Sequence, residues 1–121
     1  MRGILFRGKD SLGRWHYGSL HTDQITGSDK YYINSNININ NPNYIEVIKE
    51  TVGQLTDSFD IDGNEIWEGD SVNQKSVLIG DEEDIDFSGY VKFYEGRWWI
   101  DNGIDAIPLW SETRENRILE V

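Results

Sequence analysis

Tyr90-Val91-Lys92-Phe93-Tyr94-Glu95-Gly96-Arg97-Trp98-Trp99-Ile100-Asp101 is the stretch on which the fold turns. Glu95-Gly96 suits a two-residue hairpin turn, since glycine takes the positive φ such turns demand. That turn sets Tyr94 opposite Arg97, Phe93 opposite Trp98, Lys92 opposite Trp99 and Val91 opposite Ile100. Opposed residues share a face. One face then carries Val91, Phe93, Trp98 and Ile100, all apolar, and is expected in the core. The other carries Tyr90, Lys92, Tyr94, Arg97, Trp99 and Asp101. A slip of one residue would mix the two sets. Trp99, set between Tyr90, Tyr94 and two cations, is the least explained aromatic of the chain; most aromatics of so small a chain belong to the core, and a binding patch around Trp99 is the alternative. These three aromatics are therefore candidate partner contacts.

Forward from the hairpin, Ala106–Trp110 reads as a short strand whose Pro108 marks an edge or bulge. Ser111–Glu115 is expected to form one helical turn with Ser111 as cap, and Arg117–Val121 a final strand. Backward, Glu68–Val72 leads into a strand, and Asp62-Gly63 forms a turn within Asp60–Trp67. Tyr44–Ile48, Lys30–Ile33, Arg14–His21 and Leu5–Gly8 read as further strands. Turn residues at Thr26–Asp29 and Asp10–Gly13 separate them. Asn34–Asn43 is asparagine-rich and holds Pro42, which cannot join a ladder, so a surface loop is expected there. Many short strands with turns between them argue for a barrel or sandwich.

The 121 residues include five Trp, 12% aromatics and no cysteine. A chain so rich in aromatic and β-branched residues folds despite its acidity, and it does so without disulfides or thiolate metal sites. The net charge of −11 is unevenly placed. Residues 1–56 carry six Lys/Arg against five Asp/Glu; residues 57–121 carry five against 17. Nucleic acid is bound through cations that displace its counterions, so the second half should repel it. A basic protein partner is expected instead. No stretch has the apolar length of a signal peptide or membrane helix, and a soluble, cytoplasmic protein is expected.

Reactive constellations fare poorly. Asp60-x-Asp62-x-Asn64 opens like a calcium loop, but Glu65 and Ser71 occupy the positions that need glycine and an acid. A hairpin turn is the better reading. Asp81-Glu82-Glu83-Asp84, with Asp86 beyond, is read as a solvated acidic loop and a contact for a basic partner. Glu68 and Asp70 flank Gly69 at a strand entry, a structural arrangement and not an acid–base pair. His16 and His21 fall on opposite faces of one strand and cannot share a metal. No catalytic residue, cofactor site or metal site is expected.

Several motifs together carry a resemblance. Phe6-Arg7, Trp15-x-Tyr17-Gly18-x-Leu20 and Glu50-Thr51-Val52-Gly53-Gln54-Leu55-Thr56 come first in the chain. Asp62-Gly63-Asn64-Glu65-Ile66-Trp67-Glu68-Gly69-Asp70 with Val72 follows, then Gly89-Tyr90-Val91-x-Phe93 and Glu95-Gly96. The pattern resembles the YopX family of phage and prophage proteins. The chain departs from it at Thr56-Asp57-Ser58-Phe59, where the family usually has a Thr-Gly-Leu-like run. It departs again at Ile118–Val121, which replaces an Ile-Gly-Asn-Ile-like strand and acidic tail. The resemblance implies a mostly-β protein, with an N-terminal β-hairpin and strand region over 1–56 and an SH3-like barrel over 57–121. It implies no reaction and assigns no catalytic residue.

Three functions follow as expectations. The first is a non-enzymatic, phage-encoded protein-interaction module, with homo-oligomers among its partners. The second is an acidic inhibitor that mimics nucleic acid in a basic groove. The third, nucleic-acid binding by an SH3-like barrel, is disfavoured by the charge.

Overall fold

A computed structural model describes residues 5–23, 29–36, 40–77 and 85–120. Their regular structure is eleven β-strands and one 3₁₀ turn. The chain divides into two compact units, Met1–Leu55 and Thr56–Val121.

The first unit contains β1 (Phe6–Lys9), β2 (Trp15–Thr22), β3 (Tyr31–Asn34) and β4 (Tyr44–Val47), each antiparallel to its sequence neighbour. Ile33 and Val47 are buried in it, as is Leu55. Arg7 is buried too, its guanidinium 4.1 Å from the centre of the Trp15 ring. A cation seated on an aromatic face keeps an electrostatic partner out of water. The 3₁₀ turn at Lys49–Thr51 is stitched to β1: Lys9 N donates to Thr51 Oγ1 at 2.8 Å, and Ile48 N to Lys9 O at 2.7 Å. Of the asparagine-rich stretch, residues 35–36 and 40–43 carry no strand, as expected of a loop, Asn34 ends β3, and 37–39 lie outside the described residues. Asn34 Oδ1 accepts from the Asn36 and Asn43 amides, so side-chain amides close the connection of β3 to β4.

Strand β5 (Gly53–Phe59) is where the chain passes between units. Its start pairs with β1, Phe6 opposite Gln54 and Arg7 opposite Gly53, and in strand order it stands between β1 and β6 (Glu65–Trp67). Its sequence lacks strict alternation, and sequence reading did not assign it as a strand.

The second unit adds β7 (Ser71–Ser76), β8 (Asp86–Tyr94), β9 (Arg97–Asp101), β10 (Ala106–Pro108) and β11 (Arg114–Glu120), in the order β10-β9-β8-β7-β11. Ile66, Val72, Val91, Ile100 and Leu109 form its core, with Trp98, Phe87, Ile107 and Ile118 packed against them. Burying each such aliphatic side chain contributes roughly 1.5–3 kcal/mol. The β8–β9 register matches the expected pairing residue for residue from Val91–Ile100 to Tyr94–Arg97. Glu95 and Gly96 both have positive φ, 52° and 76°, as the tight turn requires.

Four expectations need correction. Phe93 is 51% exposed and not in the core. The β7–β8 ladder ends at Ser71–Tyr90, so Phe93 has no β7 residue beside it on its face. No helical turn forms at Ser111–Glu115. Glu112 and Thr113 make a plain turn, with Ser111 Oγ accepting from Thr113 N, and β11 then starts at Arg114 instead of Arg117. Competition by the serine hydroxyl for a nearby amide favours such a turn over a helix. The expected barrel over 57–121 is also revised. Both sheets are antiparallel and neither is closed into a barrel.

Candidate functional site

On the outward face of β8 and β9, Tyr94 and Trp99 stack with ring centres 5.4 Å apart and planes inclined by 10°. Trp99 Nε1 donates to Tyr94 O at 3.0 Å, and the Tyr94 hydroxyl donates to Asp101 Oδ2 at 3.1 Å. The Arg97 guanidinium lies 5.5 Å from the Trp99 ring centre. Burial and the hydrogen bond to Asp101 push the Tyr94 hydroxyl above its ordinary pKa. The Gly103 amide holds the Asp101 carboxyl below its usual range against a smaller opposing effect of burial, with help from Tyr94 and Lys92. Both aromatic polar groups are thus spent within the hairpin, and the rings are fixed. Tyr90, on the same face, is 57% exposed. The three aromatics singled out from sequence therefore share one face of the hairpin with Lys92 and Arg97.

The same unit contains a cleft of about 480 Å³ that sequence reading missed. Asp57–Ile61 forms one wall, and Leu109–Ser111 with Arg114–Asn116 forms the other. Phe59 is 57% and Trp110 70% exposed at its border. Trp110 follows a firmly held residue. Buried Leu109 donates its amide to Trp98 O, and its carbonyl accepts from Gln74 Nε2 at 3.1 Å and Asn116 Nδ2 at 2.8 Å. Gln74, fully buried, also donates to Pro108 O and Asn116 Oδ1. Asp57 sits within a strand at φ 63°, a left-handed conformation that glycine tolerates and most residues avoid. The Thr-Gly-Leu run of the resembling family fits this position, so the departure at Asp57 has a backbone consequence. The one sequence signal for the cleft was that departure; an exposed Trp after Pro-Leu carries none.

The other sequence candidates resolve as structural features. Asp60 Oδ1 accepts from the Asp62 and Asn64 amides, at 3.0 and 2.9 Å, and Oδ2 from Ile118 N at 3.4 Å. Burial works to raise its pKa, but the hydrogen bonds from Asn64, Ile118 and Asp62 together hold it below the usual value. Asp70 is buried and accepts from Trp67 N at 2.8 Å. His16 Nε2 lies 2.8 Å from Asp10 Oδ2, and His21 Nε2 2.9 Å from Ser19 Oγ. Asp81, Glu82, Glu83 and Asp84 lie outside the described residues. Among the described residues no group of three His, Cys, Asp or Glu is placed to hold a metal ion, and no helix is long and apolar enough to cross a membrane.

The model of the family described as YopX protein matches residues 5–121, nearly the whole chain. The chain belongs to the YopX family. No curated protein and no solved structure gives a match. The YopX assignment leaves the aromatic residues of β8 and β9 and the cleft to be read from their own chemistry.

Proposed function

We propose that this YopX chain is a phage- or prophage-encoded accessory protein that works in the host cytoplasm by binding a protein partner, without catalysis. The observation that carries this reading is the ladder on β8 and β9. Its Tyr94 and Trp99 rings are locked by their own hydrogen bonds, so a partner can cover them at little cost in ordering. Aromatic residues beside arginine are the composition of interface hot spots. An SH3-like topology is part of the proposal. A meander of four strands, β7 to β10, whose fifth strand returns to pair with the first supports it.

The test is affinity capture of the tagged protein from a host during phage induction, comparing wild type with Tyr90→Ala. Tyr90 is exposed enough that its loss should leave the melting temperature nearly unchanged while reducing partner recovery. Recovery that is unaffected by Tyr90→Ala and by Trp99→Ala would remove the ladder as the contact. The surplus of carboxylates in residues 57–121 favours a second reading, an acidic mimic of nucleic acid seated in a basic groove. Such a complex would dissociate steeply with added salt, and one indifferent to ionic strength would eliminate that reading.

A further inference from the structure

Asn102-Gly103 is the one Asn-Gly pair in the chain, and it lies in the exposed loop that joins β9 to β10. A backbone amide that follows an asparagine can attack the side-chain carboxamide and close a cyclic imide. Such attack is ordinarily slow. The amide nitrogen must give up its proton, the carboxamide oxygen must take on negative charge, and the side chain of the attacking residue obstructs the approach.

The loop meets each of these demands. Gly103 N donates to Asp101 Oδ1 at 2.7 Å, so a carboxylate already holds the proton that has to leave. Asn102 Oδ1 accepts from Ile104 N at 2.9 Å and from Asp105 N at 2.7 Å. Backbone donors aimed at an oxygen where charge develops stabilise the tetrahedral intermediate. Gly103 has no side chain, and nothing lies within 4 Å of where a Cβ would sit. Both bonds to Oδ1 come from residues later in the chain, which lays the carboxamide over the peptide that attacks it. Asn102 N donates to Asp105 O at 3.0 Å and closes the turn, so the reacting groups are held together.

Asn34 has half of this arrangement. Its Oδ1 accepts from Asn36 N at 3.2 Å and Asn43 N at 2.9 Å, but the next amide, Ser35 N, donates to the neutral carbonyl of Asn43 at 3.1 Å. A peptide carbonyl is a far weaker base than a carboxylate, and Ser35 carries a side chain.

We infer that Asn102 is a self-modification site, converted to aspartate and isoaspartate by the chain's own loop with Asp101 as the base. The Gly103 nitrogen bonds to Asn102 Cγ as its proton passes to the Asp101 carboxylate. The bond from Cγ to the side-chain nitrogen then breaks, and Asp101 returns the proton to that nitrogen, which leaves as ammonia. Water opens the imide at either carbonyl, and nothing is oxidised or reduced. The product places a new carboxylate next to Asp101, which also holds the Tyr94 hydroxyl. Isoaspartate in addition lengthens the backbone by a methylene at the end of the aromatic ladder. This goes beyond the interaction reading and does not depend on it.

The test incubates the full chain at neutral pH in water enriched in heavy oxygen and follows Asn102 by peptide mass spectrometry. Conversion with uptake of heavy oxygen is expected, faster in the native chain than in the same chain unfolded in guanidinium, where the turn's hydrogen bonds are lost. Asn34, which lacks the base, should gain no rate from folding. Asp101→Asn should slow conversion about tenfold or more. Tyr94→Phe, which spares the contact of Asp101 with Gly103, should leave the rate unchanged. A native rate equal to or below the unfolded one would overturn the inference, because the turn would then shield the amide. So would an Asp101→Asn chain that reacts as fast as wild type while its circular dichroism matches.

Discussion

Asp57 and Gln74 carry the clearest residue-scale consequences. A left-handed backbone costs a residue with a Cβ roughly 1–2 kcal/mol that glycine does not incur. Asp57→Gly should therefore be more stable than Asp57→Ala by about 1 kcal/mol, read from urea midpoints at constant m. The reverse order would mean that the φ of 63° is not kept in solution. Gln74 serves Pro108 O, Leu109 O and Asn116 Oδ1 from a site without solvent exposure. Replacing it with leucine keeps the volume but strips the Pro108 carbonyl of its donor. An unsatisfied buried acceptor costs roughly 1–3 kcal/mol; leucine also removes Gln74 Oε1, itself buried without a partner, so Gln74→Leu should lose stability toward the lower end of that range. It should also blur the Trp110 environment, visible as a shifted indole resonance. Neither effect was readable from sequence. A glutamine inside a strand that otherwise alternates looks like a solvated position until three acceptors are found around it.

At the scale of elements, two turns are built alike. Asp10–Arg14 and Asp60–Asn64 each close with the aspartate amide donating to the fifth residue's carbonyl. In both, a glycine amide returns to the aspartate carbonyl, and the carboxylate caps two further amides. Short polar side chains that satisfy nearby amides make such turns readable in sequence, and both were expected there. Their carboxylates are also charge reporters. The hydrogen bond from His16, then that from the Arg14 amide, holds Asp10 far below its usual range. Asp60 and Asp101 are lowered as well. A carboxyl depressed in the folded state contributes its stability fully above its unfolded pKa of about 3.9 and loses it as pH falls through the folded value. The stability gap between wild type and Asp10→Asn should therefore shrink as pH falls below about 4. Denaturant midpoints below about pH 5 check this, and a gap that does not shrink by about pH 2 would contradict the assigned hydrogen bonds. The second turn does one thing the first does not. Ile61 N donates to Asn116 O, and Asp60 accepts from Ile118 N, so polar groups on the outer edge of β11 are occupied. An exposed strand edge invites pairing with another chain. This cover depends on a contact across distant sequence, and spacing could not show it.

For the whole molecule the governing quantity is charge. A chain at −11 repels itself in the compact state, and screening relieves that repulsion within a Debye length of about 8 Å at physiological salt. The melting temperature should rise when sodium chloride is raised from low to moderate concentration. A melt indifferent to salt would mean that the carboxylates are too dispersed to act together. The same screening weakens the proposed complex with a basic partner, so salt should stabilise the protein and loosen that complex at once.

The register of β8 and β9, the turns at Asp10, Asp60 and Glu95, the acidic second half and the family all came from the order of residues. Each depends on neighbours in sequence, where turn geometry, alternation and charge act directly. Tertiary structure alone decided that Phe93 is left uncovered, that β5 is a strand, and that Phe59 and Trp110 border one cleft. Those outcomes require segments remote in the chain to meet or to fall short of meeting. Exposure of an apolar side chain is set by what the fold lays over it, a property no local pattern encodes.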